Sequence, residues 1–183
     1  AGSPEQAAEL LAHLEDSHPD HPEVALRLAE ATIRRGGIPE LSSLPAELPG
    51  GYELRGLLWK ANILRLTSKV AAMTGDGWPD PVEVRDALAL IGPAADHPHA
   101  LVHGELTLEL VRNPNIGDDE RAAALESAWL MQPPFPTLGH VGFQLAGLYE
   151  SDRRKAVLEQ LQLRFLASGD EVGAEVCQAR MAG

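Results

Sequence analysis

Residues 22–37 read PEVALRLAEATIRRGG, a stretch with the pattern of one amphipathic α-helix. Its apolar residues recur with the period of a helix rather than in the alternation expected of a half-buried strand. Pro22 suits the first turn of a helix, and the cations of Arg34 and Arg35 suit the last turn. Gly36 follows where a left-handed cap is needed. The stretch therefore predicts a helix that begins at Pro22 and ends at the Arg-Arg-Gly-Gly run.

The same helical period, broken by proline and glycine, recurs along the rest of the chain. A first helix is predicted to follow Ser3, and a long one to span 53–72. Residues 38–50 contain three prolines, so at most a turn or two of helix fits there. Thr137, Asp152 and Asp170 are predicted to cap later helices. About nine helices and no strand pattern result, with the later helices predicted at about 81–92, 97–113, 118–133, 137–149, 153–168 and 171–181.

This succession of helices predicts an all-α fold of antiparallel helical hairpins, arranged either as a bundle or as a solenoid. Aromatic residues make up only 4% of the chain, so leucine and alanine are expected to form the core. Such a core suits closely packed helix pairs. Small residues at Ala29, Gly104 and Ala146 would let a neighbouring helix approach the backbone.

A spaced pattern occurs twice, as Leu28-Ala29 followed by Thr32 and as Leu145-Ala146 followed by Tyr149. This pattern resembles the first helix of the tetratricopeptide repeat, and Ala128 and Pro133 look like the later alanine and terminal proline of that repeat. The resemblance implies a short right-handed solenoid that forms a single domain over residues 1–183, with 1–74 and 78–183 as an alternative division into halves. A non-repeating helical bundle is the alternative fold.

A narrower resemblance concerns the two ends of the chain. The PEVALRLA helix, the Gly36-Gly37 pair and Leu44-Pro45 look like the C-terminal helical-repeat region of thioredoxin-like co-chaperones. So does the close of the chain, which runs from Arg153 through Gly169 to a last helix that ends near Arg180. The thioredoxin domain of that family has no counterpart here.

The charge of the chain restricts its partners. Lys and Arg total 15 against 27 Asp and Glu, for a net charge of −12. Such a chain would repel nucleic acid and anionic membrane surfaces, so neither is a predicted partner. No apolar run is long enough to span a bilayer. Cys177 is the only cysteine, which fits a reducing cytoplasm, is compatible with export, and predicts an inert packed thiol.

Several residue groups have the spacing of a reactive or metal-binding site. His99 and His103 lie four apart and would share one helix face, with Asp96 or Glu105 as a third ligand. His18 follows Glu15 in a single E-x-x-H pattern, whereas a di-iron bundle needs two such pairs. The acidic run 118–120 has the composition of a magnesium-binding cluster. Its position at a helix start explains it better, because acidic side chains are favoured in the first turn. We therefore predict no metal, no cofactor and no catalytic residue.

The predicted function is that of a non-catalytic protein-interaction module with a tetratricopeptide-like or co-chaperone-type role. Stacked helical hairpins form a concave groove that can bind a peptide. An acidic groove edge would prefer a basic partner. A sensory domain that binds a small ligand is one alternative, and an all-α enzyme is another. The residues predicted to face the groove are Leu101, Glu105, Leu108, Glu109, Phe143 and Glu150.

Overall fold

The helix predicted from the opening stretch spans Pro22–Arg34 and is here called α1. Pro22 occupies its first turn, and Gly36 adopts the left-handed conformation, with φ of 77°. A computed structural model describes residues 21–45, 53–92 and 97–182, together with Gln6, Glu9, Leu10, His13, Leu14 and Ser17. The described residues among the first 17 have helical backbone. The rest of that predicted helix, including Glu15, lies outside the described part, and so does His18, which follows the helix.

The described part of the chain is all-α and contains no strand, as predicted. A single 3-10 turn over Leu41–Ser43 is the only regular structure described between α1 and the next helix. The remaining helices are α2 (Glu53–Thr74), α3 (Pro81–Ile91), α4 (His97–Leu110), α5 (Asp118–Met131), α6 (Thr137–Leu148), α7 (Ser151–Ala167) and α8 (Glu171–Ala182). None of the described helices is both long enough and apolar enough to cross a bilayer.

The predicted caps differ in their outcome. Asp170 caps α8, because its Oδ1 accepts the N–H of Gly173 at 2.8 Å. The prediction for Thr137 is wrong, since Thr137 is itself buried in the first turn of α6 and makes no capping bond. The prediction for Asp152 is also wrong: α7 begins one residue earlier, at Ser151, and Glu150 occupies the cap position. In both helices the residue predicted to be the cap lies inside the helix, and the cap position is occupied by Pro136 in α6 and by Glu150 in α7.

The chain divides into two compact units, Ala1–Leu90 and Ile91–Gly183. In the N-terminal unit, α1 packs on α2 around an apolar cluster that includes Leu26, Trp59 and Leu66. Trp59 donates its ring N–H to the carbonyl of Pro45 at 2.8 Å, so the polar edge of this buried ring is satisfied. Beside the cluster, Glu30 of α1 forms a buried ion pair with Arg65 of α2.

In the C-terminal unit each helix from α4 to α8 packs on the next one, and α4 also packs on α6. One apolar cluster joins α5 and α6, and a second joins α7 and α8 through Phe165 and Cys177. The predicted close approach at Gly104 is confirmed, because a Cβ atom there would lie 2.9 Å from side-chain atoms of Pro133 and Thr137. Helices that are adjacent in the sequence thus pack against one another in succession.

Candidate functional site

A pocket with a volume of about 570 Å³ opens in the C-terminal unit, between α4, α6 and the α7–α8 corner. This volume lies within the range of pockets that bind small ligands or single anchoring side chains. The pocket has an apolar floor and a charged rim. Its lining residues are Leu108, Arg112, Phe135, Pro136, Gly139, His140, Phe143, Gln144, Phe165, Asp170, Val172, Gly173 and Arg180.

Aromatic rings form the floor of this pocket, which we call the phenylalanine pocket. The ring centroids of Phe135 and Phe165 lie 4.7 Å apart, and those of Phe143 and Phe165 lie 6.0 Å apart. These spacings are those of favourable aromatic pairs. The chain contains three phenylalanines in all, so every one of them lines this pocket.

Two glycines let Phe165 reach the centre of the floor. A Cβ atom at Gly139 of α6 would lie 3.0 Å from the Cζ atom of Phe165, and one at Gly173 of α8 would lie 2.4 Å from its Cδ1 atom. Real Cβ atoms do not approach a ring as closely as the second distance. The aromatic floor therefore depends on side-chain-free backbone on two helices that flank α7.

The rim of the pocket carries two arginines with different surroundings. Arg112 donates through Nη1 to both carboxylate oxygens of Glu109, at 3.2 and 3.1 Å, and Glu109 is buried. Arg180 instead lies over the ring of Phe143, with its Cζ atom 4.5 Å from the ring centroid. The acidic rim residue, Asp170, caps α8, where a negative charge is favoured by the helix dipole. The charge of Arg180 is therefore the least compensated at the rim.

A second, smaller pocket of about 230 Å³ shares Arg180 with the first, and we call it the cationic pocket. Arg154 donates through Nη2 to the backbone carbonyl of Arg180 at 3.2 Å, which ties α7 to the end of α8. Lys155 lies 3.8 Å from Glu159 one turn further along α7. The described residues that line this pocket are Ser151, Arg154, Lys155, Leu158, Arg180 and Met181, with no carboxylate among them.

The structure brings together two of the six predicted groove residues. Leu108 and Phe143 both line the phenylalanine pocket. Leu101 and Glu105 lie on α4 in the two turns before Leu108, at a spacing that gives all three the same helix face.

Leu101 and Glu105 do not line the pocket, and the two remaining predicted groove residues, Glu109 and Glu150, also lie outside that lining. Glu109 is buried against Arg112, so its carboxylate is committed within the fold. Glu150 is exposed just before α7.

Sequence reasoning missed most of the pocket. Arg112 follows Leu108 by four residues and His140 precedes Phe143 by three, so helical spacing from the two predicted residues would have found both. Phe165 and Arg180 carry no such signal, because only the packing of α7 on α6 and of α8 on α7 places them beside Phe143. The scarcity of phenylalanine is a further distinguishing feature, since the chain has three such residues and all of them line this pocket.

The residue pairs considered for metal binding do not assemble into a larger group. Among the described residues, no three histidine, cysteine or carboxylate side chains are placed to hold a metal ion. His99 and His103 are both buried, and burial lowers the pKa of His103 to about 4. In the acidic run at the start of α5, Asp118 pairs with Arg121 at 2.7 Å. Cys177 is fully buried, and this burial raises the pKa of its thiol although Arg180 partly opposes the shift.

No family model, no curated protein and no solved structure matches this chain. Its function is therefore inferred from the geometry and chemistry of its own residues.

Proposed function

We propose that this chain is a non-catalytic protein-interaction module, similar to a tetratricopeptide-repeat domain, whose C-terminal unit binds a segment of another polypeptide. The sequential packing of α4 to α8 supports this proposal, as does the contact of α4 with α6, since stacked hairpins bring alternate helices together. The small residue at Gly104, which lets α4 approach Pro133 and Thr137, is a further feature expected of closely stacked hairpins.

The phenylalanine pocket is the observation that carries the proposal. A concave apolar site with a few polar groups at its rim is the form in which proteins bind an anchoring side chain. Phe135, Phe143 and Phe165 offer ring faces and edges to such a side chain. Two of the polar groups nearby, Arg112 and Asp170, already have structural partners in Glu109 and the N-terminus of α8. Such engaged groups suit a binding role better than a reactive one.

The proposal is tested by selecting peptides that bind the whole chain from a library of displayed random peptides. Selected peptides should contain a large apolar residue, and binding should weaken about tenfold or more in Phe143→Ala. Leu163→Ala is the matched control, because Leu163 is 67% exposed in the same unit and lies outside the pocket lining.

A second pocket variant guards against loss of folding in Phe143→Ala. Val172 is 72% exposed and lines the pocket, so Val172→Ser changes the pocket mouth without removing core volume. Unchanged peptide affinity in both pocket variants would contradict the proposal.

A sensory domain that binds a small organic molecule is the second candidate. The volume of about 570 Å³ and the aromatic floor favour it, because both are typical of small-ligand sites. A thermal-shift screen of small aromatic and aliphatic acids separates the two functions. A small molecule that stabilises the chain, and that no selected peptide displaces, would favour the sensory role.

A further inference from the structure

We infer that the partner segment is acidic: one large apolar side chain enters the phenylalanine pocket while neighbouring Asp or Glu side chains bind Arg180, Arg154 and Lys155. This inference rests on the proposed function and specifies the chemistry of the partner. It differs from the basic partner that the sequence favours, because the charges next to the pocket are opposite in sign to the net charge of the chain.

The position of Arg180 is the first support. The Cζ atom of its guanidinium group lies over the ring of Phe143, 4.5 Å from the ring centroid, which is a cation–π contact. No carboxylate of the described chain pairs with it. A guanidinium group has five N–H donors, so a contact with one aromatic ring leaves donors that can bind a carboxylate in bidentate geometry. Arg180 therefore joins an apolar contact and an anion-binding group at one edge of the pocket.

The cationic pocket is the second, separate support. Arg154, Lys155 and Arg180 line a space of about 230 Å³ that no described acidic residue lines. The contact between Lys155 and Glu159, at 3.8 Å with both side chains more than half exposed, contributes little compensation in water. Like charges around one cavity repel each other, and a bound carboxylate would relieve that repulsion. The pocket is thus complementary to an anionic group.

The sharing of Arg180 by the two pockets determines the order of groups on the partner. A segment whose apolar side chain reaches Phe143 would place its neighbouring residues over Arg180 and then over Arg154 and Lys155. Elsewhere the chain is strongly acidic, so an acidic segment is repelled from most of the surface and attracted here. Charge thereby directs the segment to this site, and the phenylalanine pocket holds its apolar residue.

The test uses two fluorescein-labelled peptides with amidated ends, Gly-Asp-Glu-Phe-Asp-Glu-Gly and its neutral counterpart Gly-Asn-Gln-Phe-Asn-Gln-Gly. Fluorescence polarisation with the whole chain should show the acidic peptide binding at least about tenfold more tightly. Arg180→Gln and Arg154→Gln should each reduce this preference. Arg153→Gln is the matched control, since Arg153 is an exposed arginine of α7 that stacks on Tyr149 at 4.4 Å and should leave the preference unchanged.

The outcomes separate this inference from the proposed function. Equal affinity for both peptides, with both lost in Phe143→Ala, would overturn the acidic segment and leave the interaction module in place. Failure of both probes while library-selected peptides bind would do the same. Failure of every peptide from both sources would overturn both conclusions. A version of the acidic peptide in which phosphoserine replaces the Asp and Glu residues is a further probe. If it binds more than about tenfold more tightly than the acidic peptide, the site is assigned to phosphorylated segments instead.

Discussion

Phe165 occupies the space in which any residue other than glycine at position 173 would carry its Cβ atom, with only 2.4 Å between that position and the ring Cδ1 atom. The α7–α8 corner is thereby joined to the floor of the phenylalanine pocket. The same ring contacts the position of Gly139 on α6, so α6, α7 and α8 all meet at Phe165.

Gly173→Ala should destabilise the C-terminal unit by about 1–3 kcal/mol, because the added methyl group overpacks a filled site. The midpoint of chemical unfolding measures this loss. Gly147→Ala is the control: nothing lies within 4 Å of that helical position, so the change should stabilise by about 0.5–1 kcal/mol. Equal effects of the two substitutions would contradict the packing described for Phe165.

Glu30→Gln should destabilise the N-terminal unit by about 3–5 kcal/mol, because a neutral amide replaces the carboxylate that pairs with the buried guanidinium of Arg65. Unfolding in urea, monitored by the amide hydrogen exchange of α1 and α2, measures this decrease in the free energy of unfolding. Arg27→Gln is the control, since Arg27 contacts the same carboxylate at 2.8 Å but is 64% exposed; its loss should cost less than about 1 kcal/mol. A large effect of Arg27→Gln alone would contradict this assignment.

The stability of the C-terminal unit should fall as the pH decreases from 6.5 to about 4. Burial lowers the pKa of His103 from 6.5 to about 4, so the unfolded chain takes up this proton before the folded chain does. Stability is therefore complete above the unfolded pKa and decreases through this window by on the order of 3 kcal/mol. Unfolding curves at several pH values measure it, and His103→Gln should flatten the dependence whereas the exposed His140→Gln should not.

Cys177 should react with a disulfide reagent in the native protein at least on the order of a hundredfold more slowly than in the unfolded chain. Its side chain is fully buried, which limits the access of the reagent. Burial also raises the pKa of the thiol, so a smaller fraction is present as the reactive thiolate. Release of the coloured thiol product gives both rates. Fast reaction of the native protein would mean that α8 separates readily from α7.

Local patterns were sufficient to predict the helices but not the pocket. Pro22 and Gly36 lie in one stretch of sequence, so the ends of α1 could be predicted from backbone preferences alone. Leu108 and Phe143 are predicted as groove residues from the resemblance to a helical repeat, and each lies on a helix that the sequence predicts. Arg180 joins Phe143 across 37 positions of sequence only through the packing of three helices, which no spacing rule contains. The burial of Glu109 and its pairing with Arg112 are likewise tertiary features that the sequence does not show.

Because all three phenylalanines surround one cavity, a chain labelled uniformly on phenylalanine carries every label at the same place. Fluorine or carbon-13 resonances from such a sample would report whether the phenylalanine pocket is occupied, without assignment of any other signal. The amino-acid composition therefore makes the phenylalanine label a specific spectroscopic probe of ligand binding in the pocket.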